Sequence, residues 1–196
     1  MFRRIAVLAA AVSLTTFAIA ADAAFTGVDK GTVKIDAEAE SPVGKFSGKL
    51  EGVDVKEQDG KLTFSSDLHA RLKMGLRKGH TNDAFEIGVK DGVAQKGNKV
   101  TLVVDKSKLK MPADNEKVSG QVKGDLTIRG IAQSVDIAYT VSRTGSDYHI
   151  KSAKFTFDYT KHNKKDDAKE KRICQMTVCV QPTVTVTVEG VKLRDK

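Results

Sequence analysis

Alternation of apolar and polar side chains is the feature that most restricts this chain. In the stretch 124–141, GDLTIRGIAQSVDIAYTV, Leu126 and Ile128 fall on one face with Thr127 and Arg129 opposed. After a break, Val135, Ile137, Tyr139 and Val141 share a face, with Asp136 and Thr140 opposed. Successive strand side chains point to opposite faces, so the stretch reads as two half-buried strands. Gly130 and the polar pair Gln133-Ser134 supply the turn of a hairpin. A helix would need apolar residues at three- and four-residue spacing, which the run does not keep.

The same period recurs along the chain. Val33, Ile35 and Ala37 mark a first strand, followed by a turn at Ser41-Pro42-Val43-Gly44. Phe46, Gly48 and Leu50 share a face that passes to Val53 and Val55 through a bulge at Gly52, and Asp59-Gly60 is a hairpin turn. From Lys61 to Leu76 the apolar residues Leu62, Phe64, Leu68, Ala70, Leu72, Met74 and Leu76 keep even positions, interrupted only by Ser66. As one strand this run would span roughly 50 Å, far beyond the usual ~5–6 residues, and it requires a strongly bent sheet or a barrel. Arg77 to Phe85 is polar, with Gly and Asn breakers, and has room for a short helix. Val100 to Val104 is a strand, and Lys106 to Glu116 a basic loop holding Pro112. Tyr148 to Tyr159 carries Ala153, Phe155, Phe157 and Tyr159 on one face, and Lys161 to Arg172 is an exposed cluster of mixed charge. Strict Thr/Val alternation from Thr183 to Val188 closes the series. About eight strands with hairpin-length breaks and little helix predict an all-β, antiparallel fold. A sheet this long hides its edges by closing, and an eight-strand barrel encloses either a packed core or one slim ligand.

The N-terminus reads differently. A basic Met1–Arg4 precedes an apolar run to Ala20, then the small-x-small patterns Ala18-Ile19-Ala20 and Ala21-Asp22-Ala23. This is the pattern of a cleavable signal peptide spanning residues 1–23, with the apolar run shorter than the ~20 residues of a membrane span. Residues 24–196 are expected as one exported domain with no transmembrane segment. Lys and Arg number 33 against 25 Asp and Glu, for a formal net charge of +8. Such a surface suits anionic partners or plain solvation. No interleaving of aromatic and basic residues marks a nucleic-acid platform, and none is expected as a partner. Cys174 and Cys179 are the two cysteines. An oxidising compartment favours a bridge between them, but in one straight strand they would lie ~17 Å apart on opposite faces. A bridge needs Cα atoms within ~7 Å, so Gln175 to Val178 must turn, or the two remain buried thiols.

The segment Gly124–Val141 resembles the late hairpin of the YceI-like family, the periplasmic polyisoprenoid-binding proteins. Val43 to Gly48 resembles that family's early Gly- and Phe-containing region in shortened form. Arg77, His80 and Asn82-Asp83-Ala84-Phe85 are similar to its R-D-x-H-L-x-S-x-x-F-F segment. Phe155 to Tyr159 and Val184 to Val188 resemble its last strands. The usual Trp, Tyr and His-Ser near the start are absent, and the cysteine pair has no counterpart in the family's pattern. The resemblance implies a lipocalin-like barrel with a long apolar tunnel, periplasmic location, and an isoprenoid or similar long-chain lipid as partner. The lining would then include Leu62, Phe64, Leu68, Leu72, Leu126, Ile128, Ile137, Tyr139, Phe155 and Phe157. Arg77 and His80 would be candidates for contacting an anionic headgroup.

Alternation alone does not separate a tunnel from a filled core. A lipid carrier, an envelope or stress protein with a filled barrel, and an interaction module acting through its basic surface all fit the residues. Catalysis fits poorly. The histidines (His69, His80, His149, His162) keep no H-x-x-x-H spacing, and no serine lies in a G-x-S-x-G elbow. No catalytic residue, metal site or cofactor is expected, and no oligomeric state follows from the sequence.

Overall fold

The computed structural model describes residues 25–39, 45–75, 78–164, 172–175 and 178–195. The signal-peptide reading, the turn at 41–44, Leu76, Arg77 and most of the 161–172 charge cluster lie outside the described residues. The elements in chain order are β1 (Phe25–Ala39), β2 (Lys45–Glu51), β3 (Asp54–Gln58), β4 (Lys61–Asp67), α1 (Leu68–Arg71), β5 (Leu72–Met74) and α2 (Lys78–Phe85). There follow β6 (Val89–Lys90), β7 (Val93–Ala94), β8 (Lys99–Asp105), β9 (Lys117–Ile128), β10 (Ile131–Thr144), β11 (Asp147–Ser152), β12 (Phe155–Asp158), β13 (Cys174–Gln175) and β14 (Val178–Asp195).

Neighbours in sequence pair in space. The order runs β14-β11-β10-β9-β8-β4-β3-β1, and β14 returns to β1, closing an eight-strand antiparallel barrel. The closing seam is long, from Phe25↔Asp195 to Ala39↔Val180. Closure removes the unpaired edge that the alternating sequence would otherwise expose. Gly31 and Gly190 sit opposite each other in the seam with φ of 57° and 72°. A Cβ on Gly31 would stand 2.3 Å from the Glu189 carbonyl oxygen, so this position requires glycine, while the register runs unbroken from Lys30↔Val191 to Thr32↔Glu189. Beyond it the inward set in β14 switches from Val184, Val186 and Val188 to Val191 and Leu193.

Three staves are broken where the sequence suggested one run or a bulge. The step at Gly52-Val53 separates β2 from β3, and Gly52 has φ 90°. The long 61–76 run is not one strand. Asp67 caps a helical turn by accepting a hydrogen bond from the Ala70 N–H at 3.0 Å, and the chain leaves β8 to pair β5 with β2. Ala70 is consequently exposed, and Ser66 points inward, donating to the Gly52 carbonyl at 2.7 Å. In the third stave a step at Ala153-Lys154 changes the inward parity from Tyr148 and Ile150 to Phe155 and Phe157, leaving Ala153 exposed. The hairpin between β9 and β10 turns at Arg129-Gly130, both with positive φ, and Gln133-Ser134 belongs to β10. Val135, Ile137, Tyr139 and Val141 are all buried on the barrel interior as the alternation requires.

Candidate functional site

The barrel is packed at one end and hollow beyond it. At the end holding the β3–β4 and β10–β11 turns, Phe25, Leu62, Tyr148, Val191 and Leu193 are buried. The Phe25 and Tyr148 rings meet edge to face at 5.1 Å. This layer also holds an ion pair: Lys106 Nζ lies 2.9 Å from Glu57 Oε1, with the two side chains 8% and 9% exposed. Glu57 Oε2 accepts from the Phe25 N–H at 2.7 Å, and Lys106 Nζ stands 4.7 Å from the Phe25 ring centroid. A buried pair with further partners of this kind closes the end without leaving a bare charge.

Beyond that layer is a cavity of about 220 Å³. Its wall takes side chains from every stave, including Val33, Leu50, Phe64, Val100, Leu102, Leu126, Ile137, Phe157 and Val186. Among the described residues no charged side chain lines it. Ile35, Phe64, Leu102, Phe157 and Val188 point inward yet stay only partly buried, because they face empty space rather than one another. Four polar side chains of the wall are turned to the backbone. Ser66 bonds Gly52, Ser152 Oγ accepts from the Val188 N–H at 2.8 Å, and the Tyr139 hydroxyl accepts from the Lys110 N–H at 2.6 Å. The Tyr159 hydroxyl donates to the Val180 carbonyl and accepts from the Ile173 N–H, both at 3.0 Å. A buried water needs two to four polar partners, so a wall with most of its polar groups engaged favours an apolar occupant. An apolar cavity of about 150 Å³ is already enough to stay dry and admit a small hydrocarbon.

The far end is capped by loops and α2. Phe85, Ile87, Tyr159 and Ile173 extend the wall there. Arg129, at the β9–β10 turn, binds Glu86 Oε2 through Nε and Nη2 at 2.8 and 2.7 Å and donates to the His162 carbonyl at 3.1 Å. It thereby ties the barrel rim to α2 and to the 3-10 turn Tyr159–His162. His162 is fully buried beside the Phe157 ring, and neither ring nitrogen has a hydrogen-bond partner at bonding geometry. Burial pushes its pKa below the ordinary 6.5; the Ile128 and Ile131 backbone and Asp158 act in the opposite direction. Cys174 and Cys179 form a disulfide across a β13–β14 register pair, with Cα atoms 4.0 Å apart. The turn that the spacing demanded is therefore present, and the flanking Ile173 and Val180 both face the cavity.

Of the residues singled out from sequence, Phe64, Leu68, Leu72, Leu126, Ile128, Ile137, Tyr139, Phe155 and Phe157 line the cavity. Leu62 does not; it is fully buried in the packed end, because that stretch of β4 lies past the cavity floor. His80 is exposed on α2 and is not part of the wall, and Arg77 lies outside the described residues. Val184, Val186 and Val188 also line the cavity, and their alternation would have nominated them. Phe85, Ile87, Leu109, Met111 and Ile173 come from helix and loops and carried no such signal. Among the described residues no group of three or more His, Cys, Asp or Glu could hold a metal, and no helix is long and apolar enough to cross a membrane.

The architecture has known counterparts. A polyisoprenoid binding domain from Saccharophagus degradans, implicated in plant cell wall breakdown, superimposes with TM-score 0.65 at 13% identity, covering 89% of this chain and 99% of that one. Burkholderia cenocepacia BcnA superimposes with TM-score 0.51 at 17% identity, covering 82% and 95%. At such identities the likeness shows a shared fold. No curated protein matches the sequence. The model of the YceI-like domain matches residues 16–191, nearly the whole length of the barrel and part of what precedes it. On that match the chain belongs to the YceI-like family.

Proposed function

We propose that this protein is a non-catalytic carrier that holds an isoprenoid or similar long-chain lipid inside its barrel, and that it works in the periplasm. The observation that carries this reading is the cavity: about 220 Å³, with no charged lining residue among the described ones and the Tyr139, Tyr159 and Ser152 hydroxyls of its wall bonded to backbone. Each methylene moved from water into such a site contributes ~0.8 kcal/mol, so a long chain can be held by burial alone. The structural likeness to a polyisoprenoid binding domain supports the same ligand class. The signal-like N-terminus and the disulfide both suit an exported protein. The polar headgroup would stay outside, since none of the described residues lining the cavity is charged.

Native mass spectrometry of protein taken from the periplasm, followed by organic extraction, tests the reading. A bound long-chain lipid, or uptake of added polyprenyl phosphate by the empty protein, is the expected result. Bare protein throughout, with no uptake, would sink it.

A further inference from the structure

The hairpin formed by β6 and β7 stands outside the barrel sheet and pairs only with itself among the described residues, Val89↔Ala94 and Lys90↔Val93. All of its residues from Val89 to Ala94 are exposed. Val89 is 59% and Val93 65% exposed, the two highest values among the large apolar side chains of the described residues. Cross-strand partners share a face, so the two valines project from opposite faces of one finger. A flat protein partner covers one face. A fluid apolar medium covers both.

The finger is built rather than loose. Asp91 and Gly92 both have positive φ, 51° and 77°, the geometry of a tight hairpin turn. At its root the Asn98 side chain accepts from the Gly88 N–H and donates to the Gly88 carbonyl at 2.8 Å, and the Gln95 N–H donates to the same carbonyl at 3.0 Å. A Cβ on Gly97 would stand 1.7 Å from the Phe85 carbonyl oxygen, so the root is pressed against the end of α2. Phe85 and Ile87, on that root, line the cavity.

Its surroundings are basic and apolar. Lys90, Lys96 and Lys99 are exposed on or beside it; of the nearby acids, Glu86 and Asp83 are paired with Arg129 and Lys164, and Asp91 stands exposed at the tip. Ile131, another exposed large apolar residue, follows the turn whose Arg129 binds Glu86. The finger thus belongs to the hollow end of the barrel, opposite the packed one. We propose that the β6–β7 finger, with Ile131 and the surrounding lysines, docks this end of the protein onto an anionic phospholipid bilayer, placing the cavity where a long-chain lipid enters or leaves. This rests on the lipid-carrier reading for its purpose, though not for its geometry.

The chain contains no tryptophan, so Val93→Trp places a lone reporter at the finger. Its emission should shift to the blue with phosphatidylcholine vesicles containing phosphatidylglycerol, less with phosphatidylcholine alone, and the shift should fade with added salt. In co-sedimentation with the anionic vesicles, Val89→Ser/Val93→Ser should lower the bound fraction about tenfold, and Asp91→Asn should raise it. Unchanged emission, or equal sedimentation of wild type and the double serine variant, would overturn the proposal. A blue shift that grows with protein concentration in the absence of vesicles would seat the finger on a second copy and overturn it equally. Farnesol delivered from solution and read by native mass spectrometry separates the two readings. The double serine variant should take it up as wild type does. Failure of wild-type uptake with vesicle binding intact would remove the carrier reading and leave the docking.

Discussion

His162 shows how one side chain couples the end cap to pH. It is fully buried and neutral, with its pKa pushed down chiefly by loss of water. Above the unfolded value of 6.5 the imidazole is neutral in both states, and its effect on stability does not change with pH. Below 6.5 the unfolded chain takes the proton first, so stability falls with acidification, by up to about 1.4 kcal/mol per pH unit, until the buried ring itself protonates. His162→Phe should flatten this dependence. Urea midpoints measured from about pH 7.5 to about pH 5.5 check it; parallel curves for wild type and variant would show that the imidazole does not titrate as described. Nothing in the sequence distinguished His162 from the other three histidines, since its burial comes from Phe157, Arg129 and the turn that carries it.

At the scale of elements, the β13–β14 hairpin is a small clamp. The disulfide joins a register pair, and Tyr159 bridges the residues that flank it, Ile173 and Val180. Closing so short a loop stabilises by about 2 kcal/mol in the chain-entropy account. Cys174→Ser/Cys179→Ser should lose about that much in chemical denaturation, and wild type should gain the hydrogens of two thiols in mass on reduction. Unchanged stability in the serine variant would mean that Tyr159 holds the hairpin unaided. The turn was legible from spacing, because five residues of straight strand cannot bring two sulfur atoms together. Its partnership with Tyr159 was not, because that contact joins segments separated by the charge cluster. The break of the 61–76 run at α1 was hidden for a related reason. A helical turn of four residues, Leu68–Arg71, returns the chain to the same parity, so the even-numbered pattern continues through it.

For the whole molecule, the division into a packed end and a hollow end makes paired predictions. Leu102→Trp places an indole into the cavity and should cut uptake of a long-chain lipid at least about tenfold, since displacing two methylenes forfeits ~1.6 kcal/mol, with little loss of stability. Leu62→Trp meets the packed layer instead and should cost about 1–3 kcal/mol by overpacking. Lipid uptake measured by native mass spectrometry and urea denaturation read the two effects; equal destabilisation by both would mean that the interior is filled throughout. Alternation determined a good deal by itself: the strands, their inward faces, the antiparallel order and the hydrophobic wall, because period two is a local property of an extended backbone. It nominated Leu62 and Phe64 alike, since both face inward on β4. Only the tertiary structure decided that one closes the barrel and the other lines a void. That outcome depends on where loops, α2 and the Lys106–Glu57 pair fill the ends, and volume left between staves is set by all of them together rather than by any one segment.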